Sequence, residues 1–168
     1  MVRVLVIGYG NPSRRDDGVG LVVVNGLRER LGRPPLVDND DGFGELGGKA
    51  DTLFLQQLNP ELAETLADYD QVWFVDAHLG AQPELVRRAR LAPNVDPALV
   101  SHHFKPEALL ALADQLYGHA PEAELISVLG QDFDFGEQLS PITATGAQQV
   151  VDALWLAIMD EASRRMTR

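Results

Sequence analysis

Short apolar runs typical of buried strands alternate with helical segments along the chain, and this alternation limits the possible folds more than any other feature. Residues 2–7 (VRVLVI) form the clearest such run, which ends at Gly8; continuous β-branched runs are typical of strands buried on both faces. From Gly18 to Leu31 apolar residues recur at helical spacing. The alternation predicts an α/β fold with a mostly parallel sheet of about five strands and right-handed crossovers that put helices on both faces.

The remaining elements are predicted in the same way, from apolar runs typical of strands and from apolar residues at helical spacing. Strands are predicted at 52–58, 71–77 and 123–129, an edge strand at 84–92, and helices at 59–69, 103–117 and 141–163. No repeat or linker divides the sequence, so residues 1–168 are interpreted as one domain.

The charge balance excludes several classes of partner. The chain has 14 basic and 25 acidic residues and a net charge of −11, whereas proteins that bind nucleic acid usually carry a positive face. No apolar run approaches the ~20 residues of a membrane span. The first residues lead directly into a glycine loop, which suits a strand better than a signal peptide. We therefore expect a cytoplasmic protein with no nucleic-acid or membrane partner.

The absence of cysteine narrows the available chemistry. Disulfides, a cysteine nucleophile and cysteine-ligated metals are excluded, so any metal site must use Asp, Glu and His. The segment after the first strand also lacks the dinucleotide-binding fingerprint, because Ser13 takes the place of its third glycine.

Polar side chains cluster after the predicted strands, where open α/β sheets bind ligands. Asn11, Asp16 and Asp17 follow the first strand, and Asp76 closes the strand 71–77, with His78 two residues later. A carboxylate after four bulky apolar residues faces desolvation; Asp76 is either a site residue or a strand-end residue that caps a turn. Of the adjacent Asp16 and Asp17, we expect one to cap the first helix and the other to point into the cleft.

The histidines are not equally suited to be residues of this site. His102 and His103 precede a predicted helix, and adjacent helical positions point about a quarter-turn apart, so at most one should face the site. His119 lies in a Gly-His-Ala-Pro turn and is expected to be solvated. Two carboxylates and an imidazole would suit nickel, zinc, manganese or iron and leave open coordination positions.

Taken in order, four stretches resemble the nickel–iron hydrogenase maturation proteases, which trim the C-terminus of the hydrogenase large subunit. They span nearly the whole chain: Ile7–Pro12 with Arg15–Gly20 (GxGN…D(D/E)xxG), Gln57–Glu64 with Val75–Ala77 (QLxPELAE, VDA), Ser101–His103 (S-x-H), and Gly136–Pro141 (LSP).

The resemblance implies a three-layer α/β/α sandwich with a twisted five-stranded sheet. It also implies an endopeptidase whose partner is the hydrogenase large-subunit precursor. Carried over position by position, Asp17, Asp76 and His103 are both the metal ligands and the catalytic residues. The nickel would arrive with the precursor, and another divalent metal could take its place in the free protein. We expect water to attack the scissile carbonyl, with a carboxylate as base, and Asn11 or the Gly8–Gly10 amides to orient the peptide or the oxyanion.

Two features depart from the family pattern. The first ligand is Glu in some members and Asp here, and the shorter side chain would shift the metal or narrow the site. The family's Asp-Gly-Gly-Thr-x-Gly segment is absent, and residues 40–45 are its loose counterpart. The surrounding loop 38–50 is predicted to be mobile; its four acids, Asp38, Asp40, Asp41 and Glu45, are either solvated or could meet a basic surface of the partner.

Three alternative functions remain open at this point. The first is a nickel-binding accessory protein that inspects the precursor without cutting it. The second is a nucleotide-binding domain that uses residues 8–20. The third is a related peptidase that acts on another protein without a nickel requirement.

Overall fold

The computed structural model describes residues 2–81, 83–97 and 103–166, with side chains up to Ala162. Ser101 and His102 therefore lie outside the described residues. The elements within these ranges are β1 (Val4–Tyr9), α1 (Val19–Arg30), β2 (Ala50–Leu55), α2 (Leu62–Leu66), β3 (Gln71–His78), β4 (Val86–Leu91), α3 (Pro106–Tyr117), β5 (Glu122–Leu129) and α4 (Pro141–Met166). Across these ranges no helix has the length and apolar character needed to cross a membrane.

The five strands form one sheet in the order β2-β1-β3-β5-β4. The first four are parallel, and β4 pairs antiparallel with β5 at the edge. Most of β4 is exposed, in agreement with the edge strand predicted at 84–92. The predicted α/β class and the mostly parallel five-stranded sheet are confirmed.

Side-chain alternation along the central strands divides the core into two layers. Val4 and Val6 of β1 point into a core shared with α1 and α4. Leu5 and Ile7 point into the opposite core, which α2 and α3 cover. Because successive strand residues face opposite sides of a sheet, the continuous apolar run supplies both cores. The result is the three-layer sandwich that the resemblance implied.

Helix starts differ from the predicted positions for identifiable reasons. The third helix begins at Pro106 rather than His103, because proline favours the first helical position and keeps the preceding Lys105 extended. The second begins at Leu62 rather than Asn59, which instead lies in a turn closed by the Leu62 N–H.

The prediction that Asp16 or Asp17 caps the first helix is wrong. Both lie in a 3₁₀ turn, Arg15–Gly18, and the residue that caps α1 is Gly18, which makes no side-chain capping bond.

The loop 38–50 is attached to the body of the protein more firmly than its composition predicted. The guanidinium of Arg28, a fully buried residue, donates to both carboxylate oxygens of Glu45, at 2.8 and 3.0 Å. The carboxylates of Asp40 and Asp41 accept backbone N–H groups within the loop. Glu45 is therefore occupied by an internal ion pair.

Candidate functional site

A cavity of about 360 Å³ opens at the carboxyl ends of β1 and β3. All three residues predicted for the site line it: Asp17 from the 3₁₀ turn after β1, Asp76 from β3, and His103 from the bend before α3. The full lining is Tyr9, Gly10, Asn11, Arg14, Asp17, Gln56, Gln57, Leu58, Asp76, His103, Phe104 and Lys105.

Asp76 lies within β3, two positions beyond the fully buried core residue Phe74. Its Oδ1 accepts the N–H of Ala77 at 2.7 Å. Burial, followed by the negative charge of Asp17, raises the pKa of Asp76 to about 6. The carboxylate is therefore held at the mouth of the sheet in surroundings that oppose its charge.

Tyr9 is a neighbour of Asp76 that the sequence reasoning missed. It ends β1, one residue beyond the Gly8–Val75 pair, so it lies beside Asp76 across the two parallel strands. The two side chains lie close enough for each to shift the pKa of the other. Burial and the Asp76 carboxylate raise the pKa of Tyr9 above its ordinary value, so the phenol remains protonated at neutral pH. The predicted first strand ended at residue 7, two residues before the observed end of β1, so Tyr9 was not recognised as a strand residue beside Asp76.

The adjacent acids Asp16 and Asp17 take separate roles. Asp17 is half-buried at the cavity, and its Oδ2 accepts the N–H of Asn11 at 2.9 Å. Asp16 is fully buried, and its carboxylate accepts the backbone N–H groups of the loop before α4: Gln131, Asp132 and Ser140, plus the Ser140 hydroxyl. One acid therefore faces the cleft, as expected, while the other joins two loops instead of capping a helix.

Positive charges lie beside these carboxylates. Arg14 and Lys105 line the cavity, and Lys105 favours the ionised form of Asp76. His103, two residues before Lys105, is exposed. The site thus combines two carboxylates with an accessible imidazole and two cations.

The donor set of two carboxylates and one imidazole is of the kind that borderline divalent metals accept. Within residues 2–81, 83–97 and 103–166, no three His, Asp or Glu side chains are grouped closely enough to hold a metal ion. Asp17, Asp76 and His103 therefore share a cavity without forming a closed ligand cluster.

Comparison with known proteins gives a consistent structural result. No family model matches the chain, and no curated protein matches it in sequence. Among solved structures, it is similar to the hydrogenase maturating endopeptidase HybD from E. coli, with a TM-score of 0.64, 19% identity, and coverage of 95% of this chain and 94% of that one. It is also similar to the [NiFe] hydrogenase maturation protease HycI from Thermococcus kodakarensis KOD1 (TM-score 0.62, 21% identity, 95% and 93%). The chain has the fold of the hydrogenase maturation proteases.

A third example extends this likeness to another organism. The hydrogenase 2 maturation peptidase from Thaumarchaeota archaeon SCGC_AB-539-E09 has a TM-score of 0.60 and 22% identity, with coverage of 93% of this chain and 97% of that one. Coverage above nine-tenths on both sides shows that the likeness extends over nearly the whole fold.

The two other histidines in the described part of the chain, His78 and His119, make contacts within the fold. The Nε2 of His78 contacts the carbonyl oxygen of Glu84 at 2.8 Å, and its Nδ1 contacts the hydroxyl of Ser127 at 2.8 Å. His119 is exposed, as predicted, and its Nε2 also lies 2.9 Å from the carbonyl oxygen of Tyr69. Neither residue lines the site cavity.

Proposed function

We propose that the protein is an endopeptidase that removes a C-terminal peptide from the nickel-loaded large-subunit precursor of a nickel–iron hydrogenase. In this proposal Asp17, Asp76 and His103 recognise the nickel that the precursor carries. The observation that carries the proposal is the meeting of these three side chains in one cavity at the carboxyl edge of the sheet. The shared fold of proteins named as maturation proteases supports it.

The open arrangement of the three side chains suits a metal that belongs to the substrate. Separated ligands leave the site incomplete until an ion arrives with its own partial coordination shell. A precursor without nickel would then lack the contact that joins it to Asp17, Asp76 and His103. In this way the protease would distinguish loaded from unloaded substrate.

Peptide hydrolysis at this site would use water as the nucleophile. Water adds to the scissile carbonyl carbon while a carboxylate accepts its proton, and the carbon–nitrogen bond then breaks as the departing amine gains a proton. We assign the role of base to one of the two carboxylates that line the cavity, Asp17 or Asp76. The substrate's nickel would polarise the carbonyl oxygen.

Two backbone amides at the end of the glycine loop, those of Gly10 and Asn11, already donate within the fold. The Gly10 N–H donates to the carbonyl of Leu55, and the Asn11 N–H donates to Asp17. The side chain of Asn11 lines the cavity, so we assign the role of orienting the peptide to its amide group instead.

The same loop gives little support to the nucleotide-binding alternative. A Cβ on Gly8 would lie 2.4 Å from the carbonyl oxygen of Gly20, and one on Gly10 would lie 2.2 Å from that of Asp17. These glycines are explained by the close approach of β1 to the start of α1, without a phosphate.

The direct test is a processing assay on purified large-subunit precursor, with and without nickel, followed by mass spectrometry. We expect the precursor to become shorter only when it is loaded with nickel. Asp76→Asn and His103→Ala should each abolish processing while thermal unfolding stays cooperative. An unchanged mass together with a stable, nickel-dependent complex would instead identify a non-cutting accessory protein, and cleavage independent of nickel would identify a peptidase of another kind.

Histidine variants provide the matched controls. His119→Ala should process at the wild-type rate, because this residue is outside the cavity. His102→Ala should have only a mild effect. An inactive His102 variant alongside an active His103 variant would shift the assignment of the ligand by one residue.

A further inference from the structure

The loop between β5 and α4 presents a large apolar side chain to solvent beside the candidate site. Phe135 is 88% exposed. Leu79, which follows β3 at the same edge of the sheet, is 65% exposed. The two loops are joined where the Gly130 N–H donates to the carbonyl of His78 at 2.9 Å. Single exposed apolar residues are common and need no explanation, so exposure alone carries no argument.

What distinguishes Phe135 is the rigidity of the loop that carries it. On one side, the carbonyl of Phe133 accepts the Nε–H of Arg14. On the other, Gly136 exchanges two backbone hydrogen bonds with the segment after β1: its carbonyl accepts from Arg15 at 2.8 Å, and its N–H donates to Ser13 at 2.9 Å.

The buried carboxylate of Asp16 fixes both ends of the same loop. It accepts the N–H groups of Gln131 and Asp132 at the start, and the N–H and hydroxyl of Ser140 at the end. Surface loops are usually mobile and polar. Here a loop with both ends fixed holds an aromatic ring in water, so the loop backbone has little conformational entropy to lose when that ring binds a partner.

The fixed loop is continuous with the lining of the cavity. Arg14 lines the cavity and also contacts the loop through Phe133 and Gly136. Phe135 is therefore carried by a loop that is bonded directly to the rim of the cavity, which a protein substrate would have to reach.

We infer that Phe135 is the anchor of a docking surface, extended by Leu79, for the folded body of the protein substrate. This inference rests on the proposed function and adds to it a contact remote from the scissile bond. The partner surface should offer an apolar recess able to take an aromatic ring, since buried aromatic anchors contribute much of the affinity at protein interfaces.

The test compares Phe135→Ala with wild type on nickel-loaded precursor. We expect KM to rise about tenfold or more with kcat unchanged, the magnitude typical of a lost interface anchor. Phe135→Leu should retain most of the affinity. Leu156→Ala is the matched control: Leu156 is 68% exposed but lies about 22 Å along α4 from its first residue, at 1.5 Å per residue, and should behave as wild type.

A second measurement separates docking of the body from recognition of the tail. Large subunit already trimmed to its mature length should still bind wild-type protein, and Phe135→Ala should weaken that binding by the same factor. Unchanged KM and unchanged binding in Phe135→Ala, with an active wild type, would overturn the docking inference alone. A loss confined to kcat would also overturn it. A wild-type protein that neither trims nor binds the precursor would overturn the proposed function, and the docking inference with it.

Discussion

The carboxyl group of Asp76 is ionised at neutral pH at a cost to folding. Burial first, and then the nearby Asp17 carboxylate, raise its pKa from 3.8 to about 6. The Ala77 amide, the Tyr9 hydroxyl and Lys105 offset only part of this effect. A carboxylate whose ionisation is opposed by its surroundings is typical of functional sites. At such sites a charge that lowers the stability of the fold serves catalysis or binding.

Because the ionised carboxylate of Asp76 destabilises the folded state, we expect Asp76→Asn to be more stable than wild type at neutral pH. Since the folded-state pKa is raised, the native state binds the extra proton between about pH 4 and 6, and wild-type stability falls as pH rises through that range. The neutral amide escapes this penalty and can still accept from Ala77. We expect a gain on the order of 1–3 kcal/mol at pH 7 that disappears near pH 4.

Urea unfolding of both proteins at pH 7 and pH 4 measures this difference. Asp114→Asn, at an exposed position on α3, is the control and should show no such pH dependence. A variant that is less stable than wild type at both pH values would contradict the electrostatic account of Asp76.

At the residue scale, the sequence predicted which side chains line the cavity where local rules apply. It failed where contacts between residues far apart in the chain decide the role of a side chain. The carboxyl ends of β1 and β3 meet at one edge of the sheet, so Asp76 and the acids after β1 could be expected to lie together. The separate roles of Asp16 and Asp17 could not be derived locally, because the partners of Asp16 begin 115 residues later at Gln131.

At the element scale, Asp16 joins the start of α1 to the start of α4. Burial opposes its charge, but the N–H groups of Asp132, Gln131 and Ser140 outweigh that effect and lower the pKa of Asp16. This explains why a buried carboxylate is tolerated: each hydrogen bond stabilises the ionised form. Asp16 therefore holds both ends of the fixed loop around Phe135, in addition to the bonds that Arg14, Arg15 and Ser13 make with it.

Asp16→Asn should destabilise the protein by about 2–4 kcal/mol at pH 7, because an amide NH₂ would face N–H donors with no acceptor. With a lowered native pKa, the contribution of Asp16 is present above about pH 4 and decreases as pH falls further, so the deficit should shrink in acid. Urea unfolding measures it, with the exposed Asp134→Asn on the same loop as control. Equal stability of the two variants at pH 7 would exclude this role for Asp16.

The elements themselves were predicted best where burial is continuous. β1 and β3 are central and buried on both faces, so their apolar runs predicted them to within two residues. The second strand begins two residues before its predicted start because Asp51 is buried there, where its carboxylate accepts N–H groups from Gly47 and Gly48 and the hydroxyl of Tyr69. From the sequence alone, a buried acid whose carboxylate is hydrogen-bonded by a turn looks the same as an exposed acid in a loop.

At the scale of the whole molecule, acidic residues exceed the basic residues available to pair with them. The net charge is −11. The ion pair Arg28–Glu45 attaches a loop to α1, and Arg33–Asp51 attaches a loop to β2, but most of the excess negative charge remains on the surface. Like charges on a compact chain repel, and unfolding relieves that repulsion.

Repulsion of this kind predicts that the protein is stabilised by salt. Raising NaCl from 10 mM to 300 mM shortens the Debye length from about 30 Å to about 6 Å, so the melting temperature should rise by several degrees. Asp114→Lys, which changes the net charge from −11 to −9, should be more stable than wild type in 10 mM NaCl, and that advantage should narrow in 300 mM. Differential scanning calorimetry of both proteins at the two salt concentrations measures both effects. A melting temperature that falls with salt would mean that the attractive ion pairs, rather than the excess of negative charge, dominate the electrostatic energy of this fold.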